Sequence, residues 1–218
     1  MAPDADPNGV LQRLKAATRA EHDAIEAALD LMAPGLTLTD YGHRLRRYHG
    51  FYAPIEPLIA AAADWSRWGL DMTARAKTAW LAADLACLGD TGKHGRAVPA
   101  ALPQCSELPP LDTAAAAFGC VYVLEGATLG GRVISRQIER VLGLNAADGA
   151  RFFHGYGDQT GDMWKAFRTA LSAFSGQRCD EDRVVASAIA TFAALRTWCV
   201  AAVPSDEPFV AVALGIGG

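Results

Sequence analysis

His22 is the residue whose type and surroundings could support metal chemistry. Apolar residues from about Val10 to Leu31 recur at steps of three and four, which predicts an amphipathic helix. His22 shares the apolar face of that helix, so we expect its imidazole to point toward the core. Glu26 follows one turn later, where its carboxylate can accept the second ring N–H and fix the tautomer of a metal-ligating histidine. A core histidine bonded to a carbonyl, or an ordinary surface pair, fits the same residues.

Three glycines interrupt the second half of a long apolar window, Ala114–Ile134: Gly126, Gly130 and Gly131. A glycine inside a helix costs about 1 kcal/mol relative to alanine, so this group needs a compensating reason. One reason is close packing against another helix. Another is a backbone surface without Cβ atoms, on which a large flat ligand could lie beside a bend in the helix. A flat ligand with a metal centre would also need an imidazole on a facing helix.

Four basic residues could meet anionic groups at the rim of such a pocket. Lys15 and Arg19 lie one turn apart on the His22 helix, and Lys165 and Arg168 lie on a distant predicted helix. Long cationic side chains are normally solvated, so a plain surface position is the alternative for each of them.

Composition predicts that these residues are carried by helices. The chain has 218 residues, with 43 alanines against only 19 valines and isoleucines, a bias toward helix formers and away from strand formers. We predict an all-α single domain over residues 10–204, between a flexible N-terminus at 1–9 and a C-terminal tail at 205–218. Helices are predicted at about 10–31, 39–48, 71–88, 146–153, 162–174 and 182–203.

Two further predictions concern prolines and caps. Pro54 and Pro57 should bend or break the second helix before a short helix that ends near residue 68. Asp112-Thr113 should cap a long, bent helix that contains the three glycines and ends at Gly143. The proline-rich segment 89–110 between these helices is predicted to be a long surface loop.

Composition excludes several classes of protein. The net charge of −4, with no basic run, lacks the electrostatic footprint of a nucleic-acid binder. Glu125 and Arg132 interrupt the apolar window, which argues against a membrane span. Residues 1–9 lack the pattern of a signal peptide, and the five cysteines contain no CxxC, so we expect reduced thiols in a cytoplasmic protein.

Two segments together resemble the heme oxygenase family, and most closely its bacterial branch that accompanies bacteriophytochromes. The segment LKAATRAEHDAIE at 14–26 is similar to the family's proximal helix, and YVLEGATLGGRVI at 122–134 is similar to its glycine-rich distal helix. Further matches in order and spacing are YHGFYAPIE at 48–56, DLACLG at 84–89 and FFHGYGDQTGDMWKAFRTAL at 152–171. The resemblance covers roughly residues 10–200.

The resemblance implies an all-α fold that holds heme between the first helix and the bent glycine helix. Heme would be both substrate and oxygen-activating cofactor, and heme, O₂ and electrons would give biliverdin, CO and Fe²⁺. His22 would be the axial iron ligand, held by Glu26. Lys15, Arg19 and Arg168, with Lys165 as a further member, match positions that neutralise the heme propionates. The implied partners are a ferredoxin-type or reductase electron donor and a bilin-accepting bacteriophytochrome.

One position departs from the family pattern. Many members carry an aspartate directly after the first distal glycine, where it orders the waters that deliver protons, and this chain has Ala127. The expectation is therefore a water network on backbone groups, with Thr128 or Arg132 assisting. A heme-binding or heme-delivery protein that does not turn heme over is the alternative that Ala127 favours. A helical structural or interaction protein, in which the glycines only pack helices, is a third reading.

Overall fold

The computed structural model describes residues 9–90, 102–175 and 178–201, and the secondary structure in these ranges is helical, which confirms the all-α prediction. The α-helices are α1 (Gly9–Leu29), α2 (Leu38–Ala61), α3 (Thr78–Asp90), α4 (Ala114–Leu142), α5 (Arg151–His154), α6 (Thr160–Phe174) and α7 (Arg178–Val200). Short 3-10 helices lie at Trp65–Trp68 and Gly157–Gln159.

One cluster of buried apolar side chains takes members from all of these α-helices, so the described residues form a single domain. Helix α7 packs against both α1 and α4, and α4 also packs against α5 and α6. Helix α2 packs mainly against α3. The predicted limits at residues 9 and 204 remain predictions, because residue 204 and the predicted tail lie outside the described residues.

Helix α2 corrects the prediction of a break at Pro54 and Pro57, since both prolines lie inside one continuous helix. Pro54 has no N–H to bond the carbonyl of Gly50, four residues earlier. The backbone N–H of Cys105 donates to that carbonyl instead, at 2.8 Å. A contact with a distant segment therefore satisfies the group that the proline leaves without a helical partner.

Helix α3 begins later than predicted, at Thr78 rather than near Asp71. Asp71 accepts hydrogen bonds from the N–H groups of Thr73 and Ala74 in a local turn. The carboxylate of Glu56 on α2 accepts from the N–H groups of Lys77 and Thr78, at 2.6 and 3.3 Å. This side chain caps the first turn, so a residue of another helix decides where α3 starts.

The segment predicted as a surface loop at 89–110 is partly buried. Its residues 91–101 lie outside the described ranges, and α3 extends through residue 90. Within 102–110, Cys105 and Pro109 are buried. This segment is packed rather than wholly exposed because Cys105 bonds to α2 and joins the core.

Helix α4 begins and ends as predicted. The Thr113 side chain accepts from the N–H of Ala116, and Gly143 ends the helix with a φ of 71°. Helices α4 and Cys179–Val200 are long and apolar enough to cross a membrane by length and composition, but 67% of the most apolar α4 window is buried inside the protein. That burial is typical of a core helix, and the corresponding window of Cys179–Val200 is 33% buried.

The remaining boundaries shift by a few residues. The helix predicted at 146–153 is reduced to the single turn of α5, because residues 145–149 form a turn closed by Asn145 and Asp148. Helix α6 starts at Thr160, two residues before its predicted start, and α7 covers 178–200 rather than 182–203. None of the five cysteines, all of which lie in the described ranges, forms a disulfide.

Candidate functional site

Helices α1 and α4 run in the same direction and meet at two points. The phenol of Tyr122 on α4 approaches the side chain of Thr18 on α1, and this contact opposes the rise in the pKa of Tyr122 that burial causes. Fifteen residues further along α4, the side-chain amide of Gln137 donates to the carbonyls of Met32 and Ala33, at 3.0 and 3.2 Å. Both bridges join positions that lie 104 or 105 residues apart in the sequence.

This register places predicted site residues at matching levels along the two helices, between the two bridges. His22 lies four residues after Thr18 on α1, and Gly126 lies four residues after Tyr122 on α4. Glu26 and Gly130 follow one turn later on their respective helices. Helix α7, which packs against both helices, spaces them apart. We call the space bounded by α1, α4 and the two bridges the α1/α4 cleft.

The imidazole of His22 is exposed, with 52% of its side chain accessible, rather than buried as predicted from the apolar periodicity. Leu14, Thr18, Ile25 and Leu29 take the core positions of α1, and His22 lies at the border of their face. Because the ring lies outside the buried face of α1, it is accessible to a ligand.

Carboxylates lie beside both nitrogens of the His22 ring. Nε2 lies 3.6 Å from Oε1 of Glu26, and Nδ1 lies 3.7 Å from Oδ1 of Asp23. These distances are longer than hydrogen bonds, but small side-chain rotations would close either of them. Among the described residues these three side chains form a group whose potential metal-ligating atoms lie within 4.8 Å of one another. The ring of Phe192 on α7 meets the imidazole edge-on, with centroids 6.0 Å apart.

The three glycines of α4 do not have the same surroundings: two leave the backbone open, and one allows close packing against another helix. A Cβ atom added at Gly126 or Gly130 would meet nothing within 4 Å. A Cβ at Gly131 would lie 2.7 Å from the carbonyl oxygen of Phe153, so this glycine allows α5 to approach α4 closely. Leu129 and Val133, on the same side as the open glycines, are 41% and 58% exposed. The cleft side of α4 is thus apolar, with bare backbone at its centre.

The residues after Gly126 do not all face the cleft. Ala127 is exposed, whereas Thr128 is buried and its hydroxyl donates to the carbonyl of Leu124 at 3.0 Å. Arg132 lines a groove of about 210 Å³ on the other flank of α4, together with Arg136 and His154. Neither Thr128 nor Arg132 lies on the side of Gly126 and Gly130.

The four predicted basic residues are exposed, and their positions on α1 and α6 are close in sequence to residues at the Thr18–Tyr122 contact. Lys15 and Arg19 lie within one turn of Thr18 on α1. Lys165 and Arg168 lie on α6, where Trp164 brings its ring to 6.0 Å from that of Tyr122. The basic residues therefore flank the Thr18–Tyr122 bridge, while Met32 and Val133 give the opposite end an apolar character.

A buried ionic cluster, which the sequence did not reveal, holds α4 directly before Gly126. Glu125 accepts from Arg75 at 2.5 Å, from Lys77 at 2.7 Å and from the hydroxyl of Tyr156 at 2.7 Å. Burial lowers the pKa of Lys77 and raises that of Tyr156. The only sequence signal was a carboxylate inside an apolar window, which does not indicate its partners.

This cluster connects three parts of the chain. Arg75 also donates to the carbonyl of Met163 on α6, at 3.1 Å, and a cavity of about 30 Å³ lies beside it. A space of that size can hold one water molecule. The cluster therefore fixes the helical turn of α4 that directly precedes Gly126 and Gly130.

Three comparisons with known proteins agree with one another. The sequence model of the heme oxygenase family matches residues 8–201. A heme oxygenase of Xanthomonas campestris pv. campestris (strain 8004) is 33% identical over 165 residues, which cover 74% of this chain and 89% of the relative.

Two solved structures share the fold. The NO- and CO-bound heme oxygenase of Neisseria meningitidis superposes with a TM-score of 0.68 at 23% identity, over 92% of this chain and 97% of that one. The heme oxygenase of Leptospira interrogans superposes with a TM-score of 0.64 at 18% identity, over 88% and 98% of the two chains.

Proposed function

Because the chain belongs to the heme oxygenase family, we propose that it cleaves heme with O₂ and reducing equivalents to biliverdin, CO and Fe²⁺, with His22 as the proximal iron ligand. The observation that carries the proposal is the register of the α1/α4 cleft. An exposed imidazole on one helix lies level with glycines on the other whose Cβ positions are open. A flat metal-centred ligand needs both features.

The residues present fit a heme. His22 offers a nitrogen ligand, and Glu26 can accept a hydrogen bond from the other ring nitrogen, which would fix the tautomer and the orientation of the imidazole. Gly126 and Gly130 let the macrocycle approach the α4 backbone, and Leu129 and Val133 offer apolar contact. When bound, the heme iron supplies the site that binds and activates O₂.

The basic residues near the Thr18–Tyr122 bridge would neutralise the two propionates. Lys15 and Arg19 approach from α1, and Lys165 and Arg168 from α6. Charge pairing at this end would set the rotation of the heme about its own axis, and therefore the meso carbon that is attacked.

Protons would reach the reacting oxygen through waters bound to backbone groups near Gly126 and Ala127. Ala127 has no carboxylate to order such waters, and the hydroxyl of Thr128 already donates to Leu124. The open backbone beside the two glycines leaves room for these waters. Any help from Thr128 or Arg132 would require these side chains to move from the positions described above.

The remaining partners follow from the reaction. Electrons would come from a ferredoxin-type donor or a reductase. The bilin could supply a bacteriophytochrome, in keeping with the resemblance to that branch, or the reaction could serve to release iron. We place the protein in the cytoplasm, where reduced cysteines and heme are both found.

Anaerobic titration with hemin, followed by a reductant and then O₂, tests the proposal. We expect a stoichiometric Soret band, which disappears on oxygenation while a biliverdin spectrum rises. A full-length protein that binds no hemin would contradict the proposal.

Ala127 supports a second candidate, a protein that binds or delivers heme without degrading it. This candidate predicts the same titration but a persistent Soret band after O₂ is added, with a stable ferrous-CO complex and no bilin. Ala127→Asp separates the two cases, because it should restore turnover only if proton delivery is what the wild-type protein lacks.

His22→Ala tests the assigned ligand. We expect the ferric heme complex to lose the absorption and resonance Raman signature of an imidazole ligand, and added imidazole to restore it. The matched control is His43→Ala, which removes another exposed histidine, from α2. An unchanged spectrum in His22→Ala would show that another residue holds the iron.

A further inference from the structure

The side chain of Gln137 is buried and fully hydrogen-bonded at the apolar end of the α1/α4 cleft. Its Nε2 donates to the carbonyls of Met32 and Ala33, and its Oε1 accepts from Nη2 and Nε of Arg140, at 2.6 and 3.2 Å. Both faces of the amide are used, so its orientation is fixed.

This bridge joins α4 to the turn that follows α1. The two bridges are separated by 15 residues on α4, or about 22 Å of helix. Gly130 lies two turns before Gln137, and Val133 lies one turn before it. Gln137 therefore stands at the boundary of the cleft, immediately beyond the surface on which a flat ligand would lie.

We propose that Gln137 is a specificity-determining residue, which limits how far a heme can shift along the cleft and thereby restricts the meso carbon that is attacked. The inference rests on the proposed function of the cleft. It assigns to Gln137 a role in seating the substrate that is separate from the iron ligand and from the basic residues.

The physical reason lies in the kind of contact available along this axis. Leu129, Val133 and Met32 offer apolar contact, which is non-directional and does not by itself define one position for a macrocycle. The four basic residues assigned to the propionates lie at the opposite end, and the guanidinium of Arg140 at this end is bonded to Gln137. A rigid boundary at the apolar end is needed to make one position of the heme lower in free energy than positions shifted along the cleft. Gln137 supplies this boundary by holding the Met32 turn against α4.

Two substitutions remove the bridge in different ways. Gln137→Met keeps a side chain of similar length but has no donor, and Gln137→Glu places a carboxylate against two carbonyl oxygens while it can still pair with Arg140. Arg140→Met leaves Gln137 in place but removes the donors that orient its amide. The matched control is Arg136→Met, since Arg136 lies on the same helix but lines the groove on its other flank.

Heme seating is measured by proton NMR of the cyanide-inhibited ferric complex, in which the shifts of the heme methyl signals report the position of the macrocycle. Wild type and Arg136→Met should give one dominant set of signals. Both Gln137 variants should give a second set, and Arg140→Met a smaller amount of it. In turnover, the ratio of the main to the minor biliverdin isomer should fall about fivefold to tenfold, the factor expected from one hydrogen bond.

Identical methyl shifts and isomer ratios in wild type and in folded Gln137 variants would overturn the inference and leave the proposed function intact. If a Gln137 variant does not fold, Arg140→Met decides the question, and wild-type seating in that variant overturns the inference. A wild-type protein that binds no heme contradicts the proposed function instead.

Discussion

At the scale of the residue, the glycines of α4 show how one residue type serves two purposes within six positions. Gly126 and Gly130 leave backbone open to the cleft, whereas the absence of a Cβ at Gly131 makes room for the carbonyl of Phe153. His22 follows the same logic, because a histidine at the border of an apolar face is accessible where one at its centre would be buried. A small difference in the angular position of a residue around the helix axis therefore decides whether its side chain is accessible to a ligand or buried in the core.

Alanine substitutions distinguish the two kinds of glycine. Gly126→Ala should raise the stability of the apo-protein by up to about 1 kcal/mol, because it improves helix propensity and meets no neighbour. The same change should weaken hemin binding, because the new methyl group enters the cleft. Gly131→Ala should lower stability, since its Cβ would lie 2.7 Å from a backbone oxygen.

Thermal unfolding and hemin titration of both variants provide the measurement. A Gly126→Ala protein that is less stable than wild type, or that binds hemin equally well, would contradict the assignment of this glycine to the cleft.

At the scale of the element, several helix ends are set by side chains from other helices. Glu56 on α2 caps α3, and Asp84 on α3 caps α5. The two carboxylate oxygens of Asp84 accept from the N–H groups of Arg151 and Phe152, both at 2.8 Å. These bonds place α5 where the carbonyl of Phe153 can meet Gly131, so the position of a four-residue helix depends on a carboxylate 67 positions earlier.

Substitution of Asp84 should loosen α5. Asp84→Ala leaves two backbone donors without their partner, and each unsatisfied buried donor costs about 1–3 kcal/mol. Asp84→Asn keeps one acceptor oxygen, so its loss of stability should be smaller. Chemical denaturation of the three proteins at neutral pH measures the order.

The same residue gives a pH dependence. Burial raises the pKa of Asp84, so the folded protein binds this proton more tightly than the unfolded chain does. Its contribution to the unfolding free energy should therefore decline as pH rises from about 4 through the raised pKa, and should not change further above it. Asp84→Asn lacks this contribution, and the difference between the two pH profiles isolates it. Parallel profiles would contradict the assignment.

At the scale of the whole molecule, α7 acts as the spacer of the cleft. It packs against α4 so closely that a Cβ at Gly119 would lie 2.2 Å from the carbonyl of Val184. It is joined to α1 by ion pairs of Arg13 with Glu181 and of Arg196 with Glu21. The two helices that would hold a ligand are thus each fixed to a third one, rather than packed tightly on each other.

A ligand that bridges α1 and α4 should stabilise this arrangement. At a free hemin concentration one hundred times the Kd, the stabilisation is about 2.7 kcal/mol, which corresponds to a rise in Tm of roughly 5–10 °C for a chain of this size. Hydrogen exchange should slow most in α1 and in the middle of α4, and least in α3. Uniform protection of all helices, or protection confined to α3, would place hemin elsewhere.

Local sequence patterns were sufficient to predict the helical class, the ends of α4 and the pair of segments that carry His22 and the glycines. These features depend on composition, on a period of about 3.6 residues and on caps, all of which act between residues a few positions apart. The tertiary structure alone decided that His22 is exposed, which glycines are open, that α2 continues through its prolines and which groups neutralise Glu125. Each of these depends on contacts between distant segments, such as Gln137 with Met32 across 105 positions, and no local pattern specifies which segment will supply the partner.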